Sequence, residues 1–154
     1  MIKIEKILFP TDFSSCAKHA LKYALDFALE RGAKLYILHV IPKLNVPVGP
    51  GGLTFPVSKL YDDMERDAKK NIHRLVPRRF LEKIKVENII VRGAPFQEII
   101  KAAKKYDVDL ITIATHGRTG ISRVLMGSTA EKVVRTAPCP VLCVKYPERE
   151  IVQP

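Results

Sequence analysis

The chain has no tryptophan, only three cysteines, 7 % aromatic residues, and 16 acidic side chains against 26 basic ones. Each shortage excludes something. Three is an odd number and Cys16, Cys139 and Cys143 show no CxxC spacing, which argues against a disulfide framework and against a four-ligand zinc site. Cys139 and Cys143 read instead as small apolar residues around Pro140. With no tryptophan and few aromatics there is no evident platform for stacking bases, so nucleic acid is set aside as a partner. No run of about 18 apolar residues occurs, which excludes an ordinary membrane-spanning helix. Met1-Ile2-Lys3-Ile4-Glu5-Lys6 carries charges where a signal peptide needs an apolar stretch, so the expectation is a cytoplasmic protein with no membrane partner.

What is present fits one domain spanning 1–154, since 154 residues with 47 % apolar content suffice for a single buried core. The net charge of +10 attracts anions without saying which. The basic residues are dispersed, as in Lys22, Lys69-Lys70 and Lys104-Lys105, which reads as a solvated charged surface.

Periodicity switches repeatedly along the chain. Residues 2–9 open with alternation and end in an apolar run, a first strand. Thr11, Asp12, Ser14 and Ser15 then supply side-chain oxygens suited to capping a helix. Ala17, Ala20, Leu21, Ala24, Leu25 and Ala28 recur on one helical face, and Gly32 stops it. Residues 35–41 are almost unbroken apolar, as a strand covered on both faces reads. Proline and glycine between Pro42 and Pro56 predict a long loop. A charged helix follows over 57–76, with Leu60, Met64, Ala68, Ile72 and Leu75 on one stripe. Strands over 86–91, 110–114 and 141–144 alternate with helices starting near Pro95 and Ser128.

Five strands joined by helical crossovers predict an α/β fold, a five-stranded parallel doubly wound (Rossmann-like) sandwich. Ligands of such sheets gather beyond the carboxyl ends of the strands. Here those ends are Pro10-Thr11-Asp12, Val40-Ile41, Gly93-Ala94 and Thr115-His116-Gly117.

The stretch from Ala114 to Thr129 is the most specific. Gly117 and Gly120 bend the chain after a buried strand, and Gly127-Ser128-Thr129 opens a helix. Glycine admits an anion close to backbone N–H groups, and a helix start offers unpaired N–H donors. Arg118 and Arg123 add positive charge, so a phosphate cradle is one reading. The other is a tight turn followed by a helix start. Neither GxxxxGK[ST] nor GxGxxG after a strand occurs, which disfavours a P-loop or kinase-like enzyme. His39 reads as a core histidine, His19 and His73 as helix-surface residues, and His116 as ordering the turn or touching phosphate. The four histidines show no metal-ligand spacing.

From Lys6 to Lys145 the chain resembles the universal stress protein family. The residues that carry this are Ile7-Leu8-Phe9-Pro10-Thr11-Asp12-Phe13-Ser14, Leu38-His39-Val40, Thr115-His116-Gly117-Arg118-Thr119-Gly120, Leu125-Met126-Gly127-Ser128-Thr129 and Cys139-Pro140-Val141-Leu142. The nucleotide-binding members carry G-x2-G-x9-G-[ST]; Gly117 and Gly127-Ser128 match its later part, while Ala114 stands at its first glycine. That methyl narrows the cleft and removes no phosphate donor.

The resemblance implies an adenine-nucleotide-binding regulatory protein of the stress response, holding ATP, ADP or AMP with or without Mg²⁺. Asp12 would bond the adenine or ribose edge, the Val40 backbone would pair with the ring, and Pro10 and Thr11 would line the same wall. Gly117, Arg118, Gly127, Ser128 and Thr129 would surround the phosphates, with His116 and Gly120 in the same turn. It also implies a homodimer through the last strand, Val141 to Val144. Two alternatives stay open: a nucleotide-independent interaction module and a weak ATPase. Asp12 as a plain helix cap is a third local reading.

Overall fold

A computed structural model describes residues 2–44, 56–116 and 126–146. Its elements run β1 (Lys6–Pro10), α1 (Ser15–Arg31), β2 (Lys34–Pro42), α2 (Val57–Leu75), α3 (Arg78–Leu81), β3 (Val86–Gly93), α4 (Pro95–Tyr106), β4 (Leu110–Ala114), α5 (Ser128–Thr136) and β5 (Val141–Val144). The strands form one sheet in the order β3-β2-β1-β4-β5, with every neighbouring pair parallel. The expected five-stranded parallel α/β fold is therefore the one observed.

Burial on both faces explains the unbroken apolar strands. Ile7 and Phe9 of β1, with Leu35 and Ile37 of β2, meet α1 and the end of α2 on one face. Leu8, Leu38, Ile111 and Ile113 meet α4 and α5 on the other. Full burial of such a side chain stabilises the fold by roughly 1.5–3 kcal/mol. The stripe of α1 is mostly alanine (Ala17, Ala20, Ala24 and Ala28 are buried), so the helix lies close against the sheet.

The first strand is shorter than the alternation implies. Ile2 is 83 % exposed, and β1 begins at Lys6, where registered pairing with Lys34 starts. Asp109 marks the boundary: its Oδ2 accepts from the N–H groups of Glu5 and Lys6 at 2.8 and 2.9 Å. On α2 only Ala68 and Ile72 of the expected stripe are fully buried, and Leu60 is exposed because the first turns of the helix project beyond the core. The short α3 carries no periodic signal in four residues. Among the described residues, no helix is long and apolar enough to cross a membrane.

Strand order reverses between β1 and β4, the one place where chain connections leave the sheet in opposite directions. Registered pairing there comprises Ile7 with Leu110 and Leu8 with Ile111. Past those pairs each strand turns to its other neighbour. The Thr11 N–H donates to Leu38 O at 2.8 Å, and the Thr115 N–H donates to Val144 O at 2.9 Å. A crevice at the carboxyl ends follows from that divergence.

Candidate functional site

One wall of the crevice is the connection from β1 to α1. Thr11 Oγ1 accepts from the Phe13 N–H, and Asp12 Oδ1 accepts from the Ser14 N–H, each at 3.0 Å. Ser14 is the residue that caps α1, accepting from the Ala17 N–H at 3.2 Å. Asp12 thus folds the loop that leads to the helix and leaves the capping to Ser14. Phe13 takes a left-handed conformation, φ 64°, a strain of order 1 kcal/mol for a bulky residue. It is held there by His39, whose ring stacks on Phe13 with centroids 4.4 Å apart. His39 Nδ1 lies 2.8 Å from the Thr11 carbonyl, and since a carbonyl only accepts, Nδ1 carries the proton. His39 is accordingly a satisfied histidine, half-buried at the end of β2. His19 differs from expectation: it is half-buried and packs against Tyr23 and Tyr146.

The opposite wall is the connection from β4 to α5. Thr115 is 7 % exposed, and its Oγ1 lies 3.1 Å from His116 Nδ1. The Gly127 N–H donates to the Thr115 carbonyl at 2.6 Å, pinning the start of α5 to the end of β4. A Cβ on Gly127 would stand 3.1 Å from that same oxygen, a contact tight enough that the carbonyl would have to give by a few tenths of an ångström. Gly127 therefore contributes space, because its amide is already committed. Helix α5 has no side-chain cap, and its first intrahelical bond is from the Glu131 N–H to Gly127 O at 3.0 Å. The N–H groups of Ser128, Thr129 and Ala130 consequently have no acceptor among the described residues. These are the donors, with the positive end of the helix dipole, that attract an anion.

Between the walls lies a cavity of about 260 Å³. Pro10, Thr11 and Asp12 line it from β1, and Val40 from β2. Ala114 at the end of β4 and His116 just beyond it close the cavity on the other side, with Gly127 before α5 and Ser128 and Thr129 at its start. Every expected site residue that is described thus reaches the same cavity. Gly117, Arg118 and Gly120 lie outside the described residues. Ala114 belongs to the α1-side core at 8 % exposure, so its methyl packs mainly against that helix.

Sequence reasoning placed Thr115 at a strand end but missed Leu38, Ile113 and the α4 residues Pro95 and Ile99, all of which line the cavity. Thr115 was legible as the first residue past a buried strand. Pro95 and Ile99 were not, because nothing local says that the start of α4 reaches this cavity. Chemically, the cavity joins an apolar floor to hydroxyls, one carboxylate and a row of amides. Among the described residues no group of three His, Cys, Asp or Glu side chains is placed to hold a metal ion. Cys16, Cys139 and Cys143 are free thiols, and burial pushes the latter two thiols up from their ordinary pKa.

Comparison with known proteins agrees with this architecture. The family model described as "Universal stress protein family" matches residues 3–145. Universal stress protein MJ0531 of Methanocaldococcus jannaschii is 34 % identical over 149 residues, covering 95 % of this chain and 85 % of that protein. The solved structure of MJ0577, from the same organism, superposes with a TM-score of 0.81 at 33 % identity, covering 97 % of this chain and 99 % of the other. A universal stress protein from Archaeoglobus fulgidus, solved in complex with dAMP, gives a TM-score of 0.63 at 26 % identity over 94 % of this chain and 100 % of that one. With nearly its whole length matched, this chain belongs to the universal stress protein family.

Proposed function

We propose that the protein binds an adenine nucleotide in the crevice between β1 and β4 and acts as a regulatory member of the stress response rather than as a catalyst. The observation that carries this reading is the uncapped start of α5, with three amides lacking acceptors among the described residues, on the rim of a cavity whose floor is apolar. At about 260 Å³ the enclosed part is slightly smaller than the roughly 300–1,000 Å³ usual for small-molecule sites. A base and sugar occupy it, and the phosphates lie at the rim. The relative solved with dAMP supports an adenine base as the occupant.

In this reading Val40 offers its backbone to the adenine ring, Asp12 takes the ribose or adenine edge, and Pro10 and Thr11 form the wall. Ser128 and Thr129 donate to phosphate oxygens, with His116, Gly117, Arg118 and Gly120 contributing from the turn. Gly127 and Ala114 leave the room. ATP is the proposed occupant, with Mg²⁺ accompanying its phosphates. The protein is proposed to work in the cytoplasm as a homodimer joined along β5, a four-residue strand at one edge of the sheet.

Mass spectrometry of the small molecules released by denaturing the purified protein tests the ligand. An adenine nucleotide, stoichiometric after soaking in ATP and washing, is the expected result. Protein that releases none after soaking contradicts the proposal.

A further inference from the structure

A second concavity, of about 720 Å³, runs between α1 and the end of α2 and shares no lining residue with the first. Its floor is apolar: Leu21 and Leu25 are buried in the core, and Leu75 and Phe80 are half-buried beside them. Its walls are cationic. Lys18 and Lys22 stand one turn apart on α1, facing Arg74 of α2 and Arg79 of α3, and Asp26 is the only acidic residue of the lining. Elsewhere on α2, Arg66 pairs with Asp63 at 3.1 Å and Lys69 with Glu65 at 2.8 Å, while Lys59 and Lys70 carry no ion pair among the described residues. Among the described residues, none of the four groove cations has a carboxylate partner, and Arg79 lies over the Phe80 ring at 5.1 Å.

The distribution of charge selects the occupant. A fatty carboxylate brings one anionic head and needs cations at one end only. Here they flank the floor on both sides and along its length. A ligand with carboxylates on both margins of an apolar stripe matches that arrangement, which is the pattern of helix-in-groove and acidic-motif recognition. We propose that this groove docks an acidic amphipathic helical segment of a partner protein, its apolar stripe on Leu21, Leu25, Leu75 and Phe80 and its carboxylates on Lys18, Lys22, Arg74 and Arg79. This rests on the groove alone and stands whether or not the β1–β4 crevice binds nucleotide.

The test is fluorescence anisotropy on the full-length protein. The probe is a labelled synthetic peptide of about sixteen residues with leucine at i, i+3, i+4 and i+7 and glutamate elsewhere. Saturable binding that weakens as salt is raised is expected, because the rim charges are screened. Lys22→Glu combined with Arg74→Glu should weaken it at least about tenfold. Asp26→Asn should leave it unchanged or tighten it. All these side chains are exposed, and circular dichroism checks that each variant folds. Should the double variant not fold, Lys18→Glu alone gives the same reading. No binding, equal binding of a lysine-for-glutamate peptide, or an affinity indifferent to the charge reversals overturns the proposal. So does sedimentation with vesicles of anionic phospholipid, lost in the charge-reversed variant, when the peptide itself fails to bind.

Discussion

The Gly127 N–H and the Thr115 carbonyl meet at 2.6 Å and hold the tip of α5 against the end of β4. Because a Cβ on Gly127 would approach that carbonyl to 3.1 Å, backbone would have to move to accept a larger residue. Gly127→Val is expected to destabilise the fold by about 1–3 kcal/mol, the usual consequence of overpacking. It should also weaken ATP binding at least about tenfold, since the amides of α5 shift with the tip. Urea denaturation and calorimetric titration measure the two effects. An unchanged affinity would remove Gly127 from the site.

Ser128 allows the amides to be tested one at a time. It is the first residue of α5, where proline is tolerated, and Gly127 before it sits at φ −71° and ψ 153°, which suits a residue preceding proline. Ser128→Pro therefore deletes one N–H while leaving the helix intact. Compared with Ser128→Ala, which removes only the hydroxyl, it should bind ATP several-fold more weakly, the loss of about 1.5–3 kcal/mol for a hydrogen bond to a charged group setting the upper limit. Equal affinities of the two variants would show that this amide does not touch the ligand.

Much of this architecture was legible in the chain because the inner strands are buried on both faces, so residues 35–41 and 110–114 show as apolar runs interrupted only by His39 and Thr112. Parallel strands with helical crossovers then dictate where a ligand lies, and Pro10, Asp12, Val40 and His116 could be placed at strand ends before any distance was known. The failures have local causes. Ile2 and Ile4 alternate like a strand but lie before the first registered pair, at Lys6. Asp12 and Ser14 are both good caps, and in the fold Asp12 accepts from the Ser14 N–H in the turn around Phe13, while Ser14 caps the helix. That the Gly127 amide is engaged by Thr115 depends on how two segments meet in space, which residue spacing does not encode.

Thr112 is a buried threonine of β4 with no exposure, and its Oγ1 has no hydrogen-bond partner among the described residues. A hydroxyl kept from water without a partner is unfavourable by about 1–3 kcal/mol. Thr112→Val keeps the shape and removes that hydroxyl, so stability should be unchanged or higher by about 1 kcal/mol. A loss of more than that in urea denaturation would mean that the hydroxyl has a partner in solution.

Burial holds the thiols of Cys139 and Cys143 above their ordinary pKa of 9.0. The unfolded chain therefore gives up these protons at lower pH than the folded one. The stabilisation associated with the neutral thiols is complete below the unfolded pKa and is lost as pH rises through the folded value. Two outcomes follow. Unfolding free energy should decline on the alkaline side, less so in a Cys139→Ala/Cys143→Ala variant. Iodoacetamide should modify both residues more slowly in the native protein than in denaturant at pH 9, read by peptide mass spectrometry. Equal rates would show that neither burial nor proton retention protects them.

The central claim is that α5 presents free amides to the phosphates of an adenine nucleotide seated between β1 and β4. Thermal unfolding of nucleotide-free protein across a series of ATP concentrations tests it most directly, because a ligand that binds only the native state must stabilise it. At a hundredfold excess over Kd the gain is about 2.7 kcal/mol, seen as a rise in Tm of several degrees that continues with the logarithm of ATP concentration. A Tm that stays constant up to millimolar ATP would contradict the account.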